Sequence, residues 1–283
     1  MLDENKIKEL EKKAIDIRVS VLESLVSAGS GHTAGPLGMA DIFTALYFHI
    51  MKHNPKKPDW KDRDYLILSN GHICPVLYAT MAHAGYFPKS ELKNLRKFGS
   101  PLQGHPHRDC LKSLETSSGP LGSGLSQAVG MAIADRMNNG DTTDRKFYCL
   151  MSDGEIQEGQ TWEAIMLAGK EKLKNLIAII DRNNIQIEGN VEDIMPLEPL
   201  DEKFEAFNWH VIEIDGHNFE QINNAINEAK AITEKPVMII AYTIPGKGVK
   251  EFEKKYEWHG KPPTREQANM AIKELKYNPN ASN

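Results

Sequence analysis

The sequence predicts an α/β fold: a doubly wound, mainly parallel sheet with helices on both faces. Three observations carry this expectation. Residues 146–184, KFYCLMSDGEIQEGQTWEAIMLAGKEKLKNLIAIIDRNN, read as strand, turn, helix, strand. Two parallel strands joined by a right-handed helix need roughly 30 residues or more, and this segment supplies them. Other short apolar runs, at 65–68, 209–214 and 236–243, are each followed by polar or glycine-containing residues, and amphipathic stretches at 4–27, 125–137 and 219–232 lie between and around them.

The chain has 283 residues. That is near the upper limit for one hydrophobic core and ample for a single large α/β domain. We therefore expect one domain over 1–283, with residues 278–283 as a polar, frayed tail. Formal charge is −5, from 34 basic and 39 acidic residues, and no basic stripe points to nucleic acid. The apolar runs are too short to span a bilayer. The opening MLDENKIKEL is polar and acidic, unlike a signal peptide. Cys74, Cys110 and Cys149 are far apart and match neither a zinc spacing nor a disulfide framework, so a reducing cytoplasm is expected.

Within the central segment, residues 147–151 and 176–180 are the strands. Trp162, Ile165, Met166 and Gly169 fall at helical spacing on one face between them. Asp153 lies just past the first strand and Asn183 just past the second. In a parallel sheet both sit at the carboxyl edge, where open α/β sheets bind ligands. A carboxylate and an amide oxygen are hard ligands. Mg2+ usually takes one or two carboxylates plus phosphate oxygens, so this pair asks for a diphosphate. Asp-Gly also marks hairpin turns, but the residues after it have helical rather than alternating period. Asp153 as a helix N-cap is compatible with metal binding.

The rest of the chain follows in order. The first helix, 4–27, is set by Leu10, Ala14, Ile17, Val21 and Leu25, and it stops at Ser27-Ala28-Gly29-Ser30-Gly31. His32 comes next, then Thr33-Ala34-Gly35-Pro36-Leu37-Gly38, whose small residues let backbone approach a ligand closely. A helix is expected over 39–51 and a polar connector over 55–64. Strand 65–68 ends in Ser69-Asn70-Gly71-His72. A helix over 75–85 and a charged, solvated helix over 90–97 lead to Gln103-Gly104-His105-Pro106. His107 makes a His-x-His pair with His105, but no third ligand is close. Gly119-Pro120-Leu121-Gly122-Ser123-Gly124 opens helix 125–137. A glycine-rich loop there suits an anion or close cofactor approach, although it is neither a phosphate-binding Walker loop nor the dinucleotide fingerprint.

Glu158 and Glu163 read as the surface of the helix after Asp153. Residues 186–188 read as short and extended, and 204–207 as a helix end. Strand 209–214 ends in Asp215-Gly216-His217. Helix 219–232 and strand 236–243 precede the loop Ile244-Pro245-Gly246-Lys247-Gly248. His259 lies in Tyr256-Glu257-Trp258-His259-Gly260.

Ser152-Asp153-Gly154, followed by Asp181-Arg182-Asn183-Asn184-Ile185, resembles the thiamine diphosphate motif, a Gly-Asp-Gly that ends about 30 residues later in Asn. Ser152 stands where the motif has its first glycine. Within that superfamily the chain resembles the amino-terminal half of transketolase, over roughly His32 to His259. Gly119-Pro120-Leu121-Gly122-x-Gly124 and Gly104-His105-Pro106 are the most specific matches. The resemblance implies a thiamine diphosphate-binding fold and a transfer of a two-carbon ketol unit from a ketose to an aldose, commonly as sugar phosphates.

By the same resemblance Asp153, Asn183 and the Ile185 carbonyl hold Mg2+, or Ca2+ or Mn2+. Cofactor contacts fall to His72, Gly119, Pro120, Leu121, Gly154, Asn183 and His259. His32, His105 and His259 serve catalysis, with His105 toward the donor sugar. Glu158 and Glu163 match glutamates near the family's subunit interface. The family also needs a glutamate from a second α/β domain, and no second set of strands is seen here. The expected assembly is therefore a split transketolase: this chain, a separate carboxyl-half subunit and a second copy of each in a heterotetramer, acting on small sugars. Two other readings stand beside it: the alpha subunit of a 2-oxo acid dehydrogenase, and a non-catalytic cofactor-binding regulatory half.

Overall fold

The structure, a computed structural model, describes residues 2–140 and 143–277, so the expected tail 278–283 lies outside the described residues. Helix α1, Glu4–Ala28, starts where the Asp3 side chain accepts from Lys6 N at 2.8 Å and ends at Gly29, a left-handed cap bonded to Leu25 O. Two short helices, α2 (Ala34–Gly38) and α3 (Ala40–Ala45), and a π turn, Leu46–Ile50, replace the single expected helix at 39–51. Then come β1 (Tyr65–Leu68), α4 (Cys74–Ala84), α5 (Ser123–Asn139), β2 (Phe147–Ser152), α6 (Gly159–Glu171) and β3 (Leu176–Arg182). A two-residue hairpin pair, β4 (Ile185–Gln186) and β5 (Gly189–Asn190), is followed by α7 (Val191–Ile194) and α8 (Leu200–Ala206). The chain closes with β6 (His210–Asp215), α9 (Phe219–Ala231), β7 (Val237–Tyr242) and α10 (Arg265–Tyr277).

Five strands form one sheet in the order β1-β2-β3-β7-β6, and every pairing is parallel. Side chains alternate between two cores. Leu66, Tyr148, Ile177 and Val237 are in register and face the layer of α1, α3, α4 and α9. Ile67, Cys149, Ala178 and Met238 face α5, α6 and α8. Burial on both faces is why these strands read as continuous apolar runs. The step from β2 to β3 and the step from β6 to β7 run in opposite directions across the sheet. Right-handed crossovers then require α6 and α9 on opposite faces, as they are.

Three expectations need correction. Met166 does not share the buried stripe of α6: it is 56% exposed, whereas Thr161, Ala164, Ile165, Ala168 and Gly169 are buried. Four positions at 3.6 spacing define a face broader than the strip a sheet can cover. The expected helix at 90–97 is a 3-10 turn, Lys89–Asn94, and Arg96 follows with φ 59°. The terminal helix α10 is absent from the sequence-based expectation, since only Ala268, Ala271 and Leu275 are buried in a charged segment.

Gly169 shows how tightly α6 is seated. A Cβ there would lie 1.9 Å from the Phe207 carbonyl oxygen, which is rigid backbone after α8. Gly169→Ala is expected to cost about 1–3 kcal/mol by overpacking, read as a lower urea midpoint at unchanged m-value. An unchanged midpoint would contradict this packing.

Candidate active site

All five strands of the main sheet point the same way, so their carboxyl ends share one edge. Asp153 follows β2, Asn183 follows β3, and Ser69-Asn70-Gly71-His72 follows β1. A cavity of about 480 Å³ opens there. Of the expected site residues it is lined by His32, His72, His105, Gly119, Leu121, Gly154, Ile185 and His259. Pro120 is exposed and does not line it. Asp153 and Asn183 do not line it, although their near neighbours Gly154 and Ile185 do.

Three imidazoles meet at this cavity. The ring centroids of His32 and His72 are 4.8 Å apart, those of His32 and His259 are 5.4 Å apart, and those of His72 and His259 are 5.1 Å apart. The loops that carry them are tied together. Thr33 Oγ1 donates to Lys261 O at 2.5 Å, and Gly246 N donates to Ala34 O at 2.8 Å. Burial holds His32 down at about 4, helped by the positive potential of His259, His105 and Arg96. Burial alone brings His259 to about 4. His72 is lowered well below its ordinary value by burial and by the neighbouring histidines, and His105 is lowered by burial and Arg96. The cluster is therefore neutral at pH 7, each ring with one donor and one acceptor nitrogen. The Nδ1 atoms of His32 and His259 and the Oε1 of Gln186 are buried without a partner in the protein. Such atoms around a cavity call for polar groups of a ligand.

The oxygen donors expected for a metal are ordered by a second set of bonds. Asp153 is fully buried; its Oδ1 accepts from Gly154 N at 2.8 Å, and its Oδ2 accepts from Asn184 N at 2.6 Å and Arg182 Nη1 at 3.1 Å. Burial raises it to about 6 against those three donors. Asn183 Oδ1 accepts from Ile185 N at 2.9 Å, and its Nδ2 donates to Asp181 Oδ2 at 2.7 Å. Among the described residues no group of three or more His, Cys, Asp or Glu could hold a metal unaided. One carboxylate, one amide oxygen and one carbonyl fit a hard cation that takes its remaining ligands from a diphosphate.

Sequence reasoning missed two participants. Arg182, whose guanidinium also meets Glu192 at 2.5 Å and Glu198 at 2.8 Å, braces Asp153. Glu155, one residue past Gly154, is a buried carboxylate on the cavity wall. His217, from the Asp-Gly-His run, is a brace outside the cavity. It lies 2.7 Å from Asp41 Oδ2 through Nδ1, and its Nε2 accepts from Ile244 N at 2.7 Å. Arg18 forks Asp41 at 3.0 and 2.6 Å. Burial pushes the Asp41 carboxyl up, but Arg18 and His217 hold it well below the ordinary range.

A pH dependence follows. His32 and His259 go from 6.5 in the unfolded chain to about 4 when folded. Below pH 6.5 the unfolded chain takes up protons that the fold refuses, so these rings contribute stability that is lost as pH falls toward 4. Proton NMR of the His32 and His259 rings should show neutral imidazoles at pH 6. Midpoints at or above 6.5 would contradict this burial.

Comparisons with known proteins show the family. A family model described as transketolase, thiamine diphosphate binding domain, matches residues 10–283. The chain is 43% identical over 267 residues to a 6-deoxy-6-sulfo-D-fructose transketolase subunit of Clostridium sp. (strain MSTE9), covering 94% of this chain and 96% of that one. It is 39% identical over 269 residues to an apulose-4-phosphate transketolase subunit of Phocaeicola vulgatus, covering 95% and 94%. It superposes on the crystal structure of transketolase from Campylobacter jejuni with a TM-score of 0.89 at 41% identity, covering 96% of this chain but 43% of that one. The 2-oxo acid dehydrogenase reading is set aside by these matches. The chain belongs to the transketolase family, and it corresponds to the amino-terminal, thiamine diphosphate-binding part of those enzymes.

Proposed function

We propose that this chain, with a separate carboxyl-half subunit, transfers a two-carbon ketol unit from a ketose to an aldose. The observation that carries the reading is the neutral histidine cluster at the cavity, with buried nitrogens that have no partner within the protein. Both relatives of matching length are named for ketoses that bear an anionic group, a sulfonate or a phosphate, so the donor is proposed to be a ketose of that kind.

Asp153, Asn183 and the Ile185 carbonyl would hold Mg2+, or Ca2+ or Mn2+, against the diphosphate. When bound, thiamine diphosphate supplies the carbanion that attacks the ketose carbonyl and accepts the electrons of the broken carbon–carbon bond. The protein's part is positioning and proton handling. His72 and His259 lie together on the inner wall and suit the diphosphate end. Neutral His32 and His259 can accept a proton from a sugar hydroxyl at one nitrogen or donate one from the other. His105, exposed at the mouth beside Gly71, suits the donor sugar.

The carboxyl-half partner and a heterotetramer are supported by the open cavity and its apolar rim. Ile187, which lines the cavity, is 71% exposed, and Met195, further along the segment after β3, is 58% exposed. A single chain would leave much of a bound cofactor in water, whereas ligand sites bury most of their ligand. Among the described residues no helix is long and apolar enough to cross a membrane. A cytoplasmic location is proposed, supported by three free cysteines.

The experiment is reconstitution. With Mg2+, thiamine diphosphate and an anionic ketose, the purified chain should release no aldehyde above background. Addition of its carboxyl-half partner should start ketol transfer, with a mass that corresponds to two copies of each chain. Full turnover by the 283-residue chain alone would overturn the two-chain reading. An inactive but cofactor-loaded complex would favour a non-catalytic half.

A further inference from the structure

Glu155 has no role in the reading above, yet it is among the residues that line the cavity, and it is fully buried. Its Oε1 accepts from the Ser69 hydroxyl and from Gly122 N at 2.6 Å. Its Oε2 accepts from Ser152 N at 3.2 Å. Ser69 Oγ in turn accepts from Gly124 N at 3.0 Å. No cation pairs with this carboxylate among the described residues. A buried carboxylate without a cation is costly, and only charge-assisted bonds from well-placed donors offset that cost.

The donors come from three separate segments. Ser69 follows β1 and leads into Gly71 and His72. Ser152 ends β2 and leads into Asp153 and Gly154. Gly122 and Gly124 belong to the turn that presents Gly119 and Leu121 to the cavity. The approach is close: a Cβ on Gly124 would lie 2.4 Å from Ser69 Cβ, and one on Gly122 would lie 2.7 Å from Thr161 Oγ1. One carboxylate thus fixes the spacing of three pieces of the cavity wall.

The wall it fixes is chemically distinct from the cation site. Leu121 is apolar, and the Glu155 carboxylate next to this turn accepts from three donors, which favours its charged form. A diphosphate would be repelled here, whereas a flat heteroaromatic ring with positive charge would be accepted. Of the proposed cation donors, Ile185 lines the cavity, whereas Asp153 and Asn183 do not.

We infer that Glu155 is a positioning residue: by holding the 119–124 turn against the ends of β1 and β2 it sets the wall that receives the ring end of the cofactor, not its diphosphate end. The inference rests on the functional reading above. It predicts a split that a general brace of the fold would not give.

Calorimetric titration of the full chain together with the carboxyl-half subunit would measure two probes, thiamine diphosphate and inorganic pyrophosphate, each with Mg2+. Loss of a charge-assisted buried bond is expected to weaken thiamine diphosphate about tenfold or more in Glu155→Gln. Pyrophosphate affinity should stay within about threefold. Ser69→Ala removes one donor and leaves the carboxylate; it should give the same split at smaller size. The double variant should lose less than the sum of the two, since the groups share one network. If Glu155→Gln does not fold, Ser69→Ala carries the test. Equal losses for both probes, unchanged affinity for both, or additive losses would each overturn the inference. A parent complex that binds neither probe would instead overturn the thiamine diphosphate reading itself.

Discussion

Three carboxylates, Asp153, Glu155 and Asp181, are buried at one end of a parallel sheet, and among the described residues Arg182 pairs with Asp153. Burial raises all three above the ordinary carboxylate range, Asp153 to about 6 and Asp181 to about 7. Asp153 and Asp181 also raise each other's cost, since like charges at close range resist joint ionisation. Backbone N–H groups, the Thr243 and Ser69 hydroxyls and the Asn183 amide offset part of that cost. The edge remains short of positive charge. A divalent cation that arrives with a diphosphate is proposed to supply that positive charge.

The topology explains why the charge collects there. Parallel strands buried on both faces leave their interiors mostly to apolar residues, so charged residues are pushed to the strand ends. Register then decides which of them meet: Ser152 pairs with Asp181, and Asp181 pairs with Ala241, just before Thr243. The same edge receives the loops that carry the histidines. The Arg18–Asp41–His217 chain ties α1 and α3 to the loop after β7, and so fixes His32 relative to His259 without touching the cavity.

The fold is legible in the sequence because its signals are periodic and local. The 65–68 strand and the strand–helix–strand unit around Asp153 match the structure nearly to their bounds, since apolar runs between turn residues have few other solutions. Asp153, Asn183 and the histidines are legible as polar residues at strand ends and loop starts. Glu155 is not. A charged residue next to helix-like sequence reads as solvated, and nothing local reveals that Ser69, Gly122 and Ser152 converge on it. Arg182 is hidden for the same reason, because its partners Glu192 and Glu198 lie beyond an irregular stretch. Met166 and α10 mark the opposite failure: periodicity shows a possible face, but tertiary contact decides how much of it is covered.

We propose that this carboxylate-rich edge is completed by a hard divalent cation at the ends of β2 and β3. Anomalous diffraction from crystals grown with Mn2+ and thiamine diphosphate tests it most directly. The account predicts one strong peak, coordinated by Asp153, Asn183 and the Ile185 carbonyl, with the remaining ligands from the diphosphate. A peak elsewhere, or a diphosphate bound at this edge without a cation, would contradict it.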